Sequence, residues 1–253
     1  MPTLTPLNAS VHGDLKVRDD RLHQYAKSRH MIPLNVTEVP QAAMCLPVLI
    51  SRFEGQNSYA LSAITSFEPG TNLFVEGEAW QPIFIPAEMQ TFPIGLMTEP
   101  DAADPVLGID PTMLVFSKSD GTALFDGNGQ PSLWLSQTEK QLRDHAEKKA
   151  RTYEFFQELA RLDLIVPLNI SVHLSGGATN QISGLMSINE DALKNLPPKE
   201  LVDLSDRGYL PVIYGLLFSL FQLNLLIQKT NERGNGPTIE KIGLELARGP
   251  AAG

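Results

Sequence analysis

Apolar positions follow two rhythms along this chain. Up to about position 135 they come in short runs broken by Pro and Gly, and from 136 onward many recur at helical spacing. The first thirty or so residues are polar and predict irregular structure. Positions 41–51, Gln-Ala-Ala-Met-Cys-Leu-Pro-Val-Leu-Ile-Ser, read as a short apolar helix that turns at Pro47 into a strand. Further strands are predicted at 59–66, 72–75 and 113–117, with Pro86 and Pro93 interrupting the chain between them. Positions 124–135 read as two strands joined by the turn Asp126-Gly-Asn-Gly. The region 30–135 is therefore expected to be β-rich.

Ser136 and Glu139 have capping-box spacing, and Leu142, Ala146, Ala150, Tyr153, Phe156, Leu159 and Leu162 follow at helical period. This predicts an amphipathic helix over 136–163. Positions 165–172 and 181–188 predict a hairpin turning at Gly176-Gly177. Asn189 can cap a short helix, Pro198 suits the first turn of another, and Gly208 suits its end. The run 210–227, LPVIYGLLFSLFQLNLLI, approaches the ~20 apolar residues of a membrane span. It carries Pro211, Ser219, Gln222 and Asn224, and its flanks show no one-sided excess of positive charge. It is expected to be a soluble helix, apolar nearly all round and buried at the centre, with no membrane span. The Gly- and Pro-containing segment 231–253 reads as a mobile tail. The expected fold is α+β in one domain over 1–230, β-rich at 30–135 and mixed α/β at 136–230. Its C-terminal half is a helix–hairpin–helix arrangement ending in the buried apolar helix.

Composition narrows the class. The 253 residues are 42% hydrophobic, enough for a core, and 29 acidic against 20 basic residues give a net charge of -9. Nucleic acid is not an expected partner, since phosphate demands a basic excess. The single cysteine, Cys45, excludes an intrachain disulfide and any all-cysteine metal site. The N-terminal stretch lacks a basic start and a long apolar run, so a cytoplasmic location is expected.

Candidate chemistry is sparse. His12-Gly-Asp14 has the His-x-Asp spacing of non-haem iron enzymes, and His145 or His173 could supply the distal ligand by chain order. The competing reading is a turn in which Asp14 caps local backbone, and no metal is expected. Asp120-Gly and Asp126-Gly-Asn-Gly lack the alternating acids and terminal Glu of a calcium loop and read as turns. Gly127 and Gly129 are followed by no third glycine and no helix, so no dinucleotide loop is expected. Ser175 lacks a glycine on each side, so it is no nucleophile elbow. Cys45 sits between Met44 and Leu46, as a core residue would. The basic residues of 140–151 are balanced by Glu139, Asp144, Glu147 and Glu154, which suits a solvated helix face. Tyr59, Asn72 and Trp80 could line a pocket, although strand aromatics usually pack in cores. No catalytic residue and no cofactor are expected; Fe(II) on His12 and Asp14 is the alternative.

The order of motifs resembles the SapC family of bacterial proteins. The resemblance begins at His12-Gly-Asp14-Leu-Lys-Val and continues through Ile32-Pro33-Leu-Asn-Val-Thr-Glu38, Ala42-Ala43 and Pro47-Val-Leu-Ile. Next come Asn72-Leu-Phe74-Val, Trp80, Phe84-Ile-Pro86 and Thr91-Phe-Pro93. Leu124-Phe125-Asp126-Gly, Ile182-Ser-Gly184-Leu, Leu193-Lys-Asn-Leu196, Ile213-Tyr and Ser219-Leu complete the order. Val39 stands where the family has Phe, Gln90-Thr91 replaces a basic residue, and the tail is not family-like. The family takes its name from a member linked to a bacterial surface layer. Many members lie beside genes for outer-membrane receptors, flavin-dependent halogenase-like proteins and cupin-like oxygenases. No catalytic residue carries over from the family. Because no catalytic constellation survives, a non-enzymatic accessory or interaction protein is expected, and the resemblance implies protein partners of those kinds. The alternatives are an iron-oxygenase-type enzyme using His12 and Asp14, or a surface-layer component.

Overall fold

The structure, a computed structural model, describes residues 4–52, 58–99, 104–234 and 236–246. It has the α+β class expected from the sequence, with several sheets and a long apolar C-terminal helix. The chain divides into two compact units: Met1–Ser28, Val75–Gln81 and Ala87–Glu147 in one, Arg29–Phe74, Pro82–Pro86 and Lys148–Gly253 in the other. The division ignores the expected break at 135/136 because strands before residue 65 pair with the hairpin after residue 164.

The second unit is built on a six-stranded antiparallel sheet. Its order is Ile239–Leu246, Ile165–Leu174, Thr179–Ile188, Val48–Arg52, Tyr59–Ile64 and Met31–Leu34. The predicted hairpin turns at Gly176-Gly177, both at positive φ, which a side chain would resist. Leu168 lies opposite Leu185 and Ile170 opposite Ile182, so one extra residue is absorbed between these pairs. Gly184, at φ +82°, lies in that bulge. Pairing and alternation sort the apolar residues onto two faces. Met31, Leu49, Ile64, Leu185, Ile170 and Ile182 share one face; Ile32, Val48, Ile50, Leu61, Ala63 and Met186 share the other. Ring contacts of Tyr59 with Phe156 at 5.5 Å and of Phe155 with Tyr209 at 5.1 Å pack the C-terminal part of the Leu133–Arg161 helix into this unit.

The mobile tail expected over 231–253 is corrected for residues 231–246. The helix Leu223–Arg233 runs on to Gly234, and Ile239–Leu246 forms the edge strand beside Ile165–Leu174. Asn231 ties the connection down. Its Oδ1 accepts from the Ile239 amide at 2.7 Å, and its Nδ2 donates to the Ile239 carbonyl at 2.9 Å. Gly234, Gly236 and Pro237 lie in the connection between these two ordered elements. Residues 247–253 of that expected tail lie outside the described residues.

The strands described in the first unit are short, and the Leu133–Arg161 helix begins in it. Three strands, Thr5–Pro6, Val106–Ile109 and Gly95–Met97, make one sheet, and Phe116–Ser117, Lys16–Val17 and Thr122–Ala123 another. The N-terminal residues expected to be irregular include helices Ala9–His12 and Arg21–Ala26. Val17, Ile94, Ile109, Val115, Leu124, Phe125 and Leu135 form a buried cluster. Two strands expected at 124–135 reduce to one bridge between Phe125 and Pro131. The following helix starts at Leu133 instead of 136, because Ser132 Oγ accepts from the Leu135 amide at 3.2 Å and Leu135 is buried. Ser136 Oγ donates to the Ser132 carbonyl at 3.0 Å, so Ser136 lies inside the helix and does not cap it.

Candidate interaction surface

The sequence-predicted site residues have tasks inside the fold. His12 Nδ1 accepts from the Asn8 amide at 3.1 Å, and Asn8 Oδ1 accepts from the Ser10 amide at 2.8 Å, closing the start of the His12 helix. Asp14 forms an exposed ion pair with Lys118 at 2.7 Å, and that hydrogen bond holds its carboxyl below the usual range. His173 Nδ1 is 3.1 Å from Thr179 Oγ1 across the hairpin, and His145 lies on the Leu133–Arg161 helix. Among the described residues no group of three His, Cys, Asp or Glu side chains comes together.

The other family positions are caps, turns and packing residues. Pro33 lies on the edge strand Met31–Leu34, where a missing amide is tolerated. Glu38 accepts from the Asn35 amide at 2.8 Å in a capping box. Pro47 accepts from the Ile64 amide at 2.8 Å, at the entrance to its strand. Residues 72–75, expected as a strand, are largely a turn: buried Asn72 accepts from the Phe74 amide at 2.9 Å. Lys229 Nζ lies 5.6 Å from the Phe74 ring centre, a cation–π contact. Trp80 pairs with Val75 in a two-residue hairpin strand. Pro86 precedes the helix Ala87–Thr91, and Pro93 follows a cis bond from Phe92. Phe125 is buried in its unit's cluster. Asp126 Oδ1 accepts from the amides of Asn128 at 2.8 Å and Gln130 at 2.9 Å. Gly184 sits at the bulge of the large sheet. Cys45 is half-buried, its thiol donates to the Ala42 carbonyl at 3.7 Å, and burial pushes its pKa up.

Two features escaped the sequence reading. One is an ion network that serves the half-hidden ends of two helices. Buried Glu158 is paired with Arg161 and lies 3.8 Å from Arg207; Arg161 also pairs with Glu200, and Arg207 with Asp203 at 2.9 Å. The hydrogen bond from Arg161 holds the Glu200 carboxyl below its usual range.

The other is the outer side of the apolar helix. The helix comprises Leu210–Ser219, a 3₁₀ turn at Leu220–Gln222, and Leu223–Arg233. Val212, Ile213, Leu216, Ser219, Leu223 and Leu226 are buried, at three- and four-residue spacing. Gly215 permits a close approach, since a Cβ there would stand 3.3 Å from Val39 Cγ1. Ser219 Oγ accepts from the Val48 amide at 3.0 Å and lies 2.8 Å from the Leu216 carbonyl. The expected all-round burial is corrected on the opposite side. Tyr214, Phe218 and Phe221 are 43%, 65% and 76% exposed. Tyr214 and Phe218 stack at 6.0 Å. Met44, 72% exposed, joins them, its carbonyl accepting from Gln222 Nε2 at 3.1 Å. Leu217 and Tyr214 also border a hollow of about 170 Å³ with Leu193 and Leu201. At ~200 Å² per aromatic side chain the three rings alone present roughly 350 Å². That matches the largest apolar patch of a typical monomer, ~300–600 Å², which is often functional. The sequence signal was present in part: Gly215 and Ser219, small and four apart, mark the covered side.

The SapC family model matches residues 7–226, most of the chain. The chain belongs to the SapC family. Neither a curated protein nor a solved structure matches it. The SapC match stops within the Leu223–Arg233 helix, so the edge strand Ile239–Leu246 lies beyond it. All thirteen family positions named above fall inside the matched region, and the tasks described for them there are structural.

Proposed function

We propose that this SapC protein is a non-enzymatic accessory protein that docks a partner protein through Tyr214, Leu217, Phe218 and Phe221. The partner contributes an apolar helix face. The observation that carries this reading is the exposed aromatic side of a helix whose other side is locked into the fold. The four residues stand at i, i+3, i+4 and i+7, the spacing by which one helix reads another. Along the helix no charged residue occurs between Arg207 and Lys229, and the charges that border the hollow beside Tyr214 and Leu217, Glu190 and Lys194, are paired with each other at 3.9 Å. The roughly 350 Å² of ring surface falls short of the ~800 Å² per partner of a standard interface, which favours a helix-sized contact over a stable dimer through this face alone.

The same features bear on other partners. A net charge of -9 does not favour phosphate. By length and composition the Leu210–Arg233 helix could cross a bilayer. Spanning would strip Ser219 of its Val48 partner and expose the sheet that Leu216 covers. Binding flat on anionic lipid calls for several free Lys or Arg beside the apolar stripe, and Lys194, which borders it, is paired with Glu190. The reading is therefore of a cytoplasmic protein without a membrane span or resident cofactor. Its first candidate partners are the halogenase-like, oxygenase-like and outer-membrane receptor classes that family membership suggests. The iron alternative gains no support from His12 and Asp14, whose side chains serve Asn8 and Lys118.

The test is titration of purified candidates against the full chain and against the Phe218→Asp, Phe221→Asp double variant. A candidate should bind the natural chain and lose at least about 30-fold in affinity with the double variant, as for ~2 kcal/mol of central aromatic anchors. The double variant should keep its melting temperature. Binding that ignores the double variant, dimerisation of the natural chain through this face in sedimentation, or partition into vesicles would each refute the reading.

A further inference from the structure

We infer that the large sheet carries a small-molecule site on the face shared by Leu49, Ile64, Ile170, Ile182 and Leu185, for an amphiphile with a short apolar body and one hydrogen-bond-accepting head. A cavity of about 190 Å³ opens there, with Leu223 of the C-terminal helix on its border. The register explains why it is apolar. Ile170 lies directly opposite Ile182, and Met31 opposite Ile64, so the branched side chains of four strands stand on one face. An apolar cavity of ~150 Å³ stays dry and accepts benzene, so this one admits a body of about seven to ten heavy atoms.

Its polar rim is what gives the ligand a direction. Ser66 borders the cavity and is only 4% exposed. Its Oγ accepts from the Glu68 amide at 3.0 Å, which orients the hydroxyl, and the O–H proton meets no acceptor among the described residues. A buried hydroxyl wants an acceptor, because a lost hydrogen bond there is not replaced by bulk water. His30, half-buried, borders the same cavity, while its carbonyl accepts from the Thr65 amide at 2.8 Å and so anchors its backbone. Ser66 and His30, with the exposed Ser183, are the polar residues bordering a mostly apolar hollow, the arrangement by which small pockets orient ligands. A carboxylate or carbonyl head takes the Ser66 hydroxyl proton; a head that only donates leaves that proton without an acceptor. The site shares no residue with the docking face, so neither proposal rests on the other.

Octanoate and octylamine test this, having equal chains but opposite heads. Both are titrated into the full chain with isotope-labelled isoleucine methyl groups. Octanoate should bind saturably, tighter than about 1 mM. It should shift the methyl signals of Ile64, Ile170 and Ile182 while leaving Ile109 of the other unit in place. Octylamine should bind at least about fivefold more weakly. Ser66→Ala should weaken octanoate by about five- to tenfold, the loss of one hydrogen bond, and leave octylamine unchanged. Ile182→Phe should fill the space and remove octanoate binding. Equal affinity for the two probes, equal weakening of both by Ser66→Ala, or shifts confined to residues away from these isoleucines would overturn the inference. The methyl shifts in the natural chain decide the matter even if Ile182→Phe folds poorly.

Discussion

The sheet unit joins residues as distant as Met31 and Leu246 in one six-stranded ladder. In the other unit the longest strand, Val106–Ile109, has four residues. That unit relies instead on side chains that close their own loops: Asn8 on Ser10, Asp110 on Thr112, Ser117 on Ser119, Asp126 on Asn128. Its apolar cluster, around Val17, Ile109 and Leu124, holds these turns together. The contrast teaches that similar Pro- and Gly-punctuated sequence can be stabilised in two ways. Long-range pairing hides whole strands, whereas local capping satisfies one or two amides at a time.

The strongest challenge to this contrast is Phe155→Ala. Phe155 is fully buried against Phe156 and Tyr209, so its removal should cost about 3–5 kcal/mol in urea denaturation. A cost under about 1 kcal/mol would mean that the ring does not anchor the sheet unit. Next in size is a chain ended after Gly234, which removes the edge strand. With buried Ile239 lost, it should be destabilised by about 2–3 kcal/mol, and the bared strand should promote association visible in light scattering. A strand that could be removed without either effect would restore the tail to a dispensable role.

In the other unit, Asp126→Ala should cost about 1–2 kcal/mol, since two amides lose one acceptor at the same turn. Calorimetry that shows no change would undercut local capping as that unit's support. The smallest effect is electrostatic. The Glu200 carboxyl titrates below its ordinary value of 4.5 because Arg161 donates to it. A depressed folded pKa stabilises above the unfolded value and loses that contribution as pH falls through the folded one. Melting temperature should thus drop on acidification below about 4.5, and Glu200→Gln should flatten that part of the curve. An unchanged acid slope in the variant would assign the dependence to other carboxylates.

Legibility in the sequence followed locality. The hairpin at Gly176-Gly177, the Asn189 cap that accepts from the Ala192 amide at 3.1 Å, Pro198 at a helix start and Gly208 beyond its end are all as expected. Each depends on residues within a few positions, whose backbone preferences are intrinsic. The 133–161 helix starts earlier than Ser136 predicts, because two serines have cap-like positions. Ser132 won because helix from Leu133 puts Leu135 into the buried cluster. The candidate docking face was half legible. Helical periodicity showed an apolar helix, but both of its sides were apolar, so no amphipathic contrast indicated which one the fold would cover.

By itself, then, the sequence determined the α+β class, the local turns and caps of the C-terminal half, and the family. Tertiary structure alone decided that residues 29–74 join residues 148–246 in one unit, that 239–246 is a strand, and that Tyr214, Phe218 and Phe221 stay outside. It alone placed Ser66 beside Ile170 and Ile182 on one cavity. The physical reason is common to all of these. A turn or cap is selected by the backbone of a few neighbouring residues, whereas burial and strand pairing are properties of a partner that lies far away in the chain.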